Sequence, residues 1–267
     1  MPEQIAIRPA AAISLAELVE TLDHTIVPDS TDALRRAAPA LAAFAANRTA
    51  LADWLVDALS RMRGFQAGND YNFQSFVLVA REKYLLRANI WLPLAHVQRL
   101  SESQAYAAGY GLAHNHNFHL LTVGYHGAGY RTDVYRIAGE YPEAIGDAVE
   151  LRSFGKWQLG TGSLFLYDGY VDVHTQLPPD ELSVSINVMT RAGDDELPQF
   201  TFDPAAGRTV GMVGSPTDRR VQLLAMARLM GSEAAQSALE ATSASHPSTR
   251  QRKLAAQALE GRSVAFR

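Results

Sequence analysis

Apolar residues recur at helical spacing near the N-terminus, between polar residues that are typical of helix starts. Ser14 and Glu17 have the spacing of a capping box, in which each residue bonds the backbone of the other. Gly64 is a helix-ending residue at the far end of this region. The pattern predicts three helices, over residues 14–22, 29–46 and 49–64.

The middle of the chain changes to runs of β-branched, aromatic and aliphatic residues, which are typical of strands. Glycines and an Asp168–Gly169 pair separate these runs, and Asp-Gly is a strong signal for a two-residue hairpin. We predict strands over residues 73–81, 84–94, 112–125, 130–137, 162–167, 170–175 and 182–190. Strands at this spacing indicate an antiparallel sandwich or barrel.

Helical patterns return towards the C-terminus. Ser215 is a capping residue before Pro216, a favoured first residue of a helix, and Gly231 ends that helix. A second capping box at Ser248 opens a helix that ends at Gly261. We therefore predict an N-terminal helical segment (1–66), a β-barrel that carries the functional site (67–205) and a C-terminal helical segment (206–267).

Composition excludes several kinds of partner and of site. The net charge of −4 gives no basic surface for nucleic acid. No apolar run approaches the length of a membrane span, and the N-terminus lacks the features of a signal peptide, so we expect a cytoplasmic protein. The absence of cysteine excludes disulfides, thiolate ligands and a cysteine nucleophile.

Histidines give the clearest chemical signal. His114 and His116 share one face of a regular strand, so both imidazoles can bind one ion. His174, on a later strand, supplies a third ligand. Neutral imidazole suits Fe, Zn, Cu or Ni, and three ligands leave positions open for substrate. We predict a metal site at His114, His116 and His174.

Two neighbouring residues have open roles. His119 lies on the opposite strand face from His116, so we expect it to support the site or to pack and hydrogen-bond on the outer face. Tyr170, Asp172 and His174 share a face in the predicted strand. Asp172 is a fourth ligand, a residue that orients a ligand imidazole, or a solvated residue at the strand edge.

The residues around the histidines resemble the first sequence motif of the cupin family. That motif has a glycine, then His-x-His, then often a glutamate and a further glycine. The matching residues here are Gly109, His114, His116 and Gly127, with Leu120–Leu121 where the glutamate would stand.

The second cupin motif is also similar. Gly162, the Asp168–Gly169 turn and His174 follow its pattern, whereas Asn187 stands too far downstream for its usual asparagine. The resemblance implies a mainly β fold, a cupin-type double-stranded β-helix or jelly-roll barrel, with helical N- and C-terminal extensions. Those extensions would cap the barrel or build a homodimer interface.

The missing glutamate leaves three histidines and resembles the cysteine dioxygenase-like (thiol dioxygenase) branch of cupins. Those enzymes have a Tyr and an Arg on a strand before His-x-His, and the Arg holds the substrate carboxylate; Tyr84 and Arg87 match them. The alternative is that Arg87 is a surface residue of its strand. The branch also has a Ser-His-Tyr relay, and this chain departs from it with Ser185, Asn187 and Met189.

The first hypothesis for function is a mononuclear non-haem Fe(II) oxygenase that oxidises a small amino acid or a related carboxylate with O2. The three histidines would hold the iron and Arg87 would anchor the acidic group. Tyr84, Tyr125, Tyr170 or Asn187 would supply hydrogen bonds or a proton.

Two other functions remain open. The same three ligands would serve a cupin isomerase, lyase or hydrolase that uses Zn, Mn or Ni as a Lewis acid. A non-enzymatic cupin that binds a small molecule is the third hypothesis, because a fold does not fix a function.

Overall fold

The structure is a computed structural model with a mainly β fold and helices before and after the strands. It describes residues 1–7, 11–60, 65–67, 69, 71–101, 108–191, 197–213, 216–247 and 249–260. The predicted helix ends at Gly64 and Gly261 and the predicted caps at Ser215 and Ser248 lie outside these residues.

Twelve strands lie in the described part of the chain: β1 (Glu3–Ile5), β2 (Ser75–Ala80), β3 (Leu85–Trp91), β4 (Ala113–Asn115), β5 (Phe118–His126), β6 (Arg131–Ala138), β7 (Glu150–Gln158), β8 (Leu164–Tyr167), β9 (Asp172–Leu177), β10 (Ser183–Arg191), β11 (Gln199–Asp203) and β12 (Arg208–Val213). The helices of the same residues are α1 (Leu15–Thr25), α2 (Thr31–Ala46), α3 (Ala50–Ser60), α4 (Leu94–Val97), α5 (Pro216–Met230), α6 (Glu233–Ser245) and α7 (Thr249–Leu259). No helix among them is long and apolar enough to cross a membrane.

The strands pair in a nested order. β3 pairs with β10, β4 with β9 and β5 with β8, all antiparallel, and β6 lies beside β7. One sheet therefore has the order β1-β8-β5-β10-β3-β2, and β4, β9, β6 and β7 are neighbours in the other. A long hairpin that folds over in this way is a jelly roll. The predicted fold class, a mainly β jelly roll with helical extensions, is confirmed.

The first sheet separates two apolar cores. Its outer face packs against α1 and α2; we call this the outer core, and its large members include Leu18, Leu34, Leu86, Val123 and Val188. Its inner face belongs to the inner core, which includes Trp91, Leu120, Tyr130, Phe165, Tyr167 and Met189. Because side chains alternate along a strand, the residues of β3, β5, β8 and β10 point in turn to the outer face and to the inner face of this sheet.

The capping box predicted at Ser14 is confirmed at the start of α1. Glu17 N–H donates to Ser14 Oγ at 3.3 Å, and Ser14 N–H donates to Glu17 Oε2 at 2.7 Å. These bonds satisfy backbone N–H groups that have no partner within the helix. The cap therefore fixes the start of a helix that buries Leu18 and Leu22 in the outer core.

Two glycines allow the β5–β6 region to lie directly against the chain between β7 and β8. A Cβ atom on Gly124 would lie 2.0 Å from Gly160 O, and one on Gly129 would lie 1.8 Å from Leu159 O. Gly129 also has a φ of 78°, in the left-handed region. Only glycine meets both conditions at Gly129.

The Asp168–Gly169 pair does not form the predicted hairpin. β8 pairs with β1 and β5 in the first sheet, whereas β9 pairs with β4 and β6 in the other sheet. The segment between β8 and β9 crosses between the sheets, and Tyr170 lies in it with a φ of 62°. The hairpin prediction is wrong because the jelly roll separates strands that are adjacent in sequence.

The chain divides into two compact units. The first comprises Met1–Ala138 and Leu151–Gly193, and it holds the N-terminal helices and the strands that carry the histidines. The second comprises Gly139–Glu150 and Asp194–Arg267, in which β11 pairs with β12 and the C-terminal helices follow. The predicted boundaries at 66/67 and 205/206 stay a prediction about which parts fold separately.

Candidate metal centre

Three histidines bring their ring nitrogens together on the first unit. One nitrogen each of His114, His116 and His174 lies within 4.8 Å of the other two. Their ring centroids are 4.7, 4.8 and 5.0 Å apart in the three pairs. Within the described residues no other group of three or more His, Asp or Glu side chains has this arrangement.

The nested strand pairing places these side chains. His114 on β4 is the direct cross-strand partner of His174 on β9. His116 follows the last residue of β4, and its carbonyl oxygen accepts a 2.5 Å bond from Tyr170 N–H. Asn115 Nδ2 donates to Tyr170 O at 2.6 Å. Tyr170 therefore fixes the end of the His-x-His segment through its backbone.

Hydrogen bonds indicate which nitrogen of each ring is available. His114 Nδ1 lies 2.8 Å from Leu112 O and must carry a proton to donate to it, which leaves Nε2 with a lone pair. His116 Nε2 and His174 Nε2 are 3.0 Å apart. Two nitrogens 2.1 Å from one metal and at right angles lie about 3.0 Å apart, so this separation is that of neighbouring ligands.

The three imidazoles are held neutral. Burial lowers the pKa of His114, and the guanidinium of Arg87 lowers it further. Burial lowers the pKa of His116 and of His174 well below the usual value, and repulsion from His114 and from Arg87 acts in the same direction on both. A neutral imidazole is the form that binds a metal ion, so the electrostatics of the site suit a ligand set.

Arg87 is a half-buried cation close to the histidines. It lies on β3 and shares the inner strand face with Trp91, and its guanidinium carbon is 4.6 Å from the ring centroid of Tyr71. No carboxylate among the described residues forms an ion pair with it, and its Nε is buried without a hydrogen-bond partner. Burial lowers the pKa of Arg87. Such a cation is costly without an anion, so the site is suited to a negatively charged ligand.

Asn187 lies directly opposite Arg87 on the neighbouring strand β10. Its Oδ1 accepts bonds from Thr122 Oγ1 and, at 3.4 Å, from Ser185 Oγ. Ser185 Oγ in turn accepts a 3.0 Å bond from Trp91 Nε1. These bonds occupy the amide oxygen, so the Nδ2 group is the part of Asn187 that can donate to a ligand beside Arg87.

Tyr84 does not lie with the histidines. It belongs to the outer core, on the opposite face of the first sheet, and its hydroxyl donates to Asp23 Oδ1 at 2.8 Å. Tyr84 and Arg87 are three positions apart, and residues three apart on a strand point to opposite faces. We correct the expectation that Tyr84 acts at the metal site.

His119 and Asp172 are both engaged elsewhere. His119 Nδ1 accepts a 2.9 Å bond from Gly169 N–H, and its Nε2 lies 3.2 Å from Asp29 Oδ1. Asp172 is 4% exposed, so it is not a solvated edge residue. Its two oxygens accept from Arg136 Nη1 at 2.8 Å and from Asp168 N–H at 2.7 Å. Neither residue belongs to the group of ligand nitrogens.

Tyr167 is not among the site residues predicted from the sequence. It is the last residue of β8, belongs to the inner core, and its ring centroid lies 5.0 Å from that of His174. Burial raises the pKa of Tyr167 well above its usual value, so the hydroxyl keeps its proton. Tyr167 lies two positions after Phe165 on the same strand, so strand alternation predicts that both side chains share a face. No sequence motif, however, distinguishes Tyr167 from a residue that only packs in the core.

No protein-family model and no curated protein sequence matches the chain. A search of solved structures matches part of the chain to hydroquinone 1,2-dioxygenase PnpCD in complex with Cd2+ and 4-hydroxybenzonitrile, at 10% identity over 48% of this chain and 69% of that chain, with a TM-score of 0.30. DMSP lyase DddQ from Ruegeria pomeroyi DSS-3 is 12% identical over 74% of this chain and 81% of its own, with a TM-score of 0.28.

A cupin domain from Bordetella pertussis Tohama I is 16% identical over 46% of this chain and 96% of its own, with a TM-score of 0.27. At these values the similarities say nothing about what this chain binds or does. The resemblance to thiol dioxygenases remains a prediction from the sequence.

Proposed function

We propose that the protein is a mononuclear non-haem Fe(II) oxygenase that oxidises a small amino acid or a related carboxylate with O2. The observation that carries this proposal is a cluster of three neutral imidazoles beside a buried guanidinium that has no carboxylate partner among the described residues. The first group suits a divalent metal and the second an anion. Together the imidazoles and the guanidinium suit a substrate whose carboxylate pairs with Arg87 while another of its atoms binds the metal.

The three histidines would hold the metal through neutral nitrogens. Their strands are fixed by the β4–β9 pairing and by the bonds from Tyr170 and Asn115. Bound Fe(II) would supply redox chemistry with O2 and would leave coordination positions open for the substrate. We assign Tyr170 the role of holding His116 through its backbone.

Arg87 would bind the substrate carboxylate. Its planar fork offers Nε and Nη donors side by side, which matches the two oxygens of a carboxylate. Asn187, opposite Arg87 on β10, would donate its amide N–H to the same group. A neutral analogue would leave the guanidinium buried and unpaired, so this pair favours anionic substrates.

Metal content is the first test. We would load the purified protein anaerobically with Fe(II), Zn, Mn or Ni and measure bound metal by mass spectrometry. His114→Ala and His174→Ala should lose the metal, whereas His126→Ala, at an exposed position at the end of β5, should keep it. Retention of metal in both of the first two variants would overturn the three-histidine site.

Oxygen uptake with a panel of amino acids and small carboxylates is the second test. Each acid is paired with its carboxamide, which keeps the shape and removes the charge. Fe(II)-dependent O2 consumption with an acid and not with its amide supports the proposal. Turnover without O2 in the Zn, Mn or Ni form would support the Lewis-acid alternative instead.

A further inference from the structure

Two neighbouring buried atoms in the inner core have no hydrogen-bond partner. His174 Nδ1 and the Tyr167 hydroxyl are both enclosed without one, in side chains of residues that are 2% and 3% exposed. The two rings are in edge contact, with centroids 5.0 Å apart and planes at 69°. Unsatisfied buried polar atoms are rare, and two on rings in contact indicate an interaction that forms in another state of the protein.

We take that other state to be the metal-bound form of the site. His174 Nε2 is the atom that faces His116, at 3.0 Å, so Nε2 is the ligand atom of His174. A neutral imidazole that binds metal through Nε2 carries its proton on Nδ1. The Nδ1–H group is then a buried donor that requires an acceptor, and a metal-binding imidazole almost always donates this proton to a neighbouring group.

The geometry points to Tyr167 as a positioning residue for His174. The hydroxyl oxygen of Tyr167 accepts a hydrogen bond from Nδ1–H of the metal-bound His174 imidazole, directly or through one water molecule. This inference rests on the metal site of the proposed function, but not on the identity of the metal, the substrate or the use of O2. Tyr167 thereby fixes the ring orientation of His174 and strengthens its bond to the metal.

Asp172 is the other acceptor close in sequence, and it is not available. It lies two residues from His174 on the same strand face, but its oxygens already accept from Arg136 and Asp168. Tyr130, also in the inner core, has its hydroxyl bonded to the side chain of Gln176. Among these neighbours, Tyr167 is the one with an unengaged oxygen.

The test compares Tyr167→Phe with Tyr110→Phe. Tyr110 is the matched control because it also belongs to the inner core, but its hydroxyl is bonded to Gln74 Nε2 and Leu92 N, each at 2.9 Å. Affinity for Zn2+ and Co2+ is measured by competition with a chelator. We expect Tyr167→Phe to weaken binding about 10- to 100-fold. Tyr110→Phe should leave it unchanged.

A nuclear magnetic resonance measurement distinguishes positioning from a general structural role. In the Zn2+-loaded protein with 15N-labelled histidine, the Nδ1–H proton of His174 should exchange slowly with water, and it should exchange faster in Tyr167→Phe. Without metal, Tyr167→Phe should unfold at the same temperature as the unaltered protein or higher, because its hydroxyl has no partner to lose. A marked loss of stability without metal would overturn the inference.

The remaining outcomes separate this inference from the proposed function. If Tyr167→Phe binds Zn2+ as tightly as the unaltered protein, with unchanged Nδ1–H exchange, the role of Tyr167 is wrong and the metal site stands. If the unaltered protein binds neither Zn2+ nor Co2+, the metal site itself is wrong. If metal affinity responds as expected but no acid supports O2 uptake, the inference stands and the oxygenase proposal falls.

Discussion

His114 on β4 and His174 on β9 are direct cross-strand partners in the second sheet. Residues opposite each other on antiparallel strands have Cβ atoms about 5 Å apart, so the two imidazoles meet without a special loop. The third nitrogen comes from His116, whose backbone is fixed by Tyr170. Strand register therefore places two of the three candidate metal ligands.

The stability of the metal-free protein should fall as the pH falls below about 6.5. Burial lowers the pKa of all three site histidines, so the unfolded chain takes up protons there before the folded protein does. Asp172 opposes this effect, because burial raises its pKa to about 7 and the folded state binds that proton first. The unfolded chain binds three extra protons on the histidines and the folded protein binds one on Asp172, a net difference of about two protons. The free energy of unfolding should therefore decrease by up to about 3 kcal/mol for each unit that the pH falls.

Urea unfolding of the metal-free protein between pH 5 and pH 7 measures this slope. His174→Asn removes one titrating group and should make the slope shallower. Equal slopes in the His174→Asn variant and the unaltered protein would show that His174 titrates normally in the fold.

Arg87→Met should weaken substrate binding without destabilising the fold. The guanidinium is buried with no carboxylate partner among the described residues, so its removal relieves a desolvation cost that outweighs its contact with Tyr71. We expect the melting temperature of the metal-free protein to stay the same or rise, and the KM for an acidic substrate to increase about 100-fold. Calorimetry and O2 uptake measure the two effects; a clear drop in melting temperature would indicate that Arg87 has a structural partner.

Tyr84→Phe should have no effect on metal content or turnover, because Tyr84 lies on the outer face of the first sheet. Its hydroxyl bond lowers the pKa of the Asp23 carboxyl, so the variant should raise that pKa towards its usual value, which NMR titration can follow. The melting temperature should fall by no more than about 4 °C. If Tyr84→Phe lost turnover but kept its full metal content, Tyr84 would have a role in the reaction after all.

Gly129→Ala and Gly155→Ala separate steric contact from backbone strain. Both glycines have a positive φ, 78° and 83°, but a Cβ on Gly155 would meet nothing within 4 Å. Gly155→Ala should therefore cost only the strain of the left-handed conformation, about 1–2 kcal/mol. Gly129→Ala also forces a Cβ against Leu159 O, so we expect a loss of at least about 3 kcal/mol or failure to fold. Denaturant unfolding of both variants tests this, and equal losses would contradict the close approach.

The elements with strong local signals could be predicted from the sequence. The capping box at Ser14 predicts the first helix, and the runs of β-branched, aromatic and aliphatic residues around β3, β5 and β10 predict the main strands, because local hydrogen bonds and burial fix these elements. β7 was missed because it is half-buried or exposed along its length and contains Gly155 at a positive φ. Its residues follow no apolar alternation that the period of a strand could reveal.

The site was predictable only in part. His114, His116 and His174 share a strong spacing signal, and the structure brings them together. The break between β4 and β5 lies at His116 and Asn117, inside the segment that the sequence predicts as one strand, 112–125. Tyr167 approaches His174 because β8 and β9 face each other from different sheets, and that relation depends on the whole roll rather than on either segment.

The nested pairing of the strands also sets when the site can form during folding. The unfolded chain carries His114 and His116 together, but His174 joins them only after β9 has closed against β4 across a long stretch of chain. Contacts between distant segments form late and slowly. A metal ion that needs all three nitrogens would bind after that closure, so it should slow the unfolding rate and leave the folding rate almost unchanged.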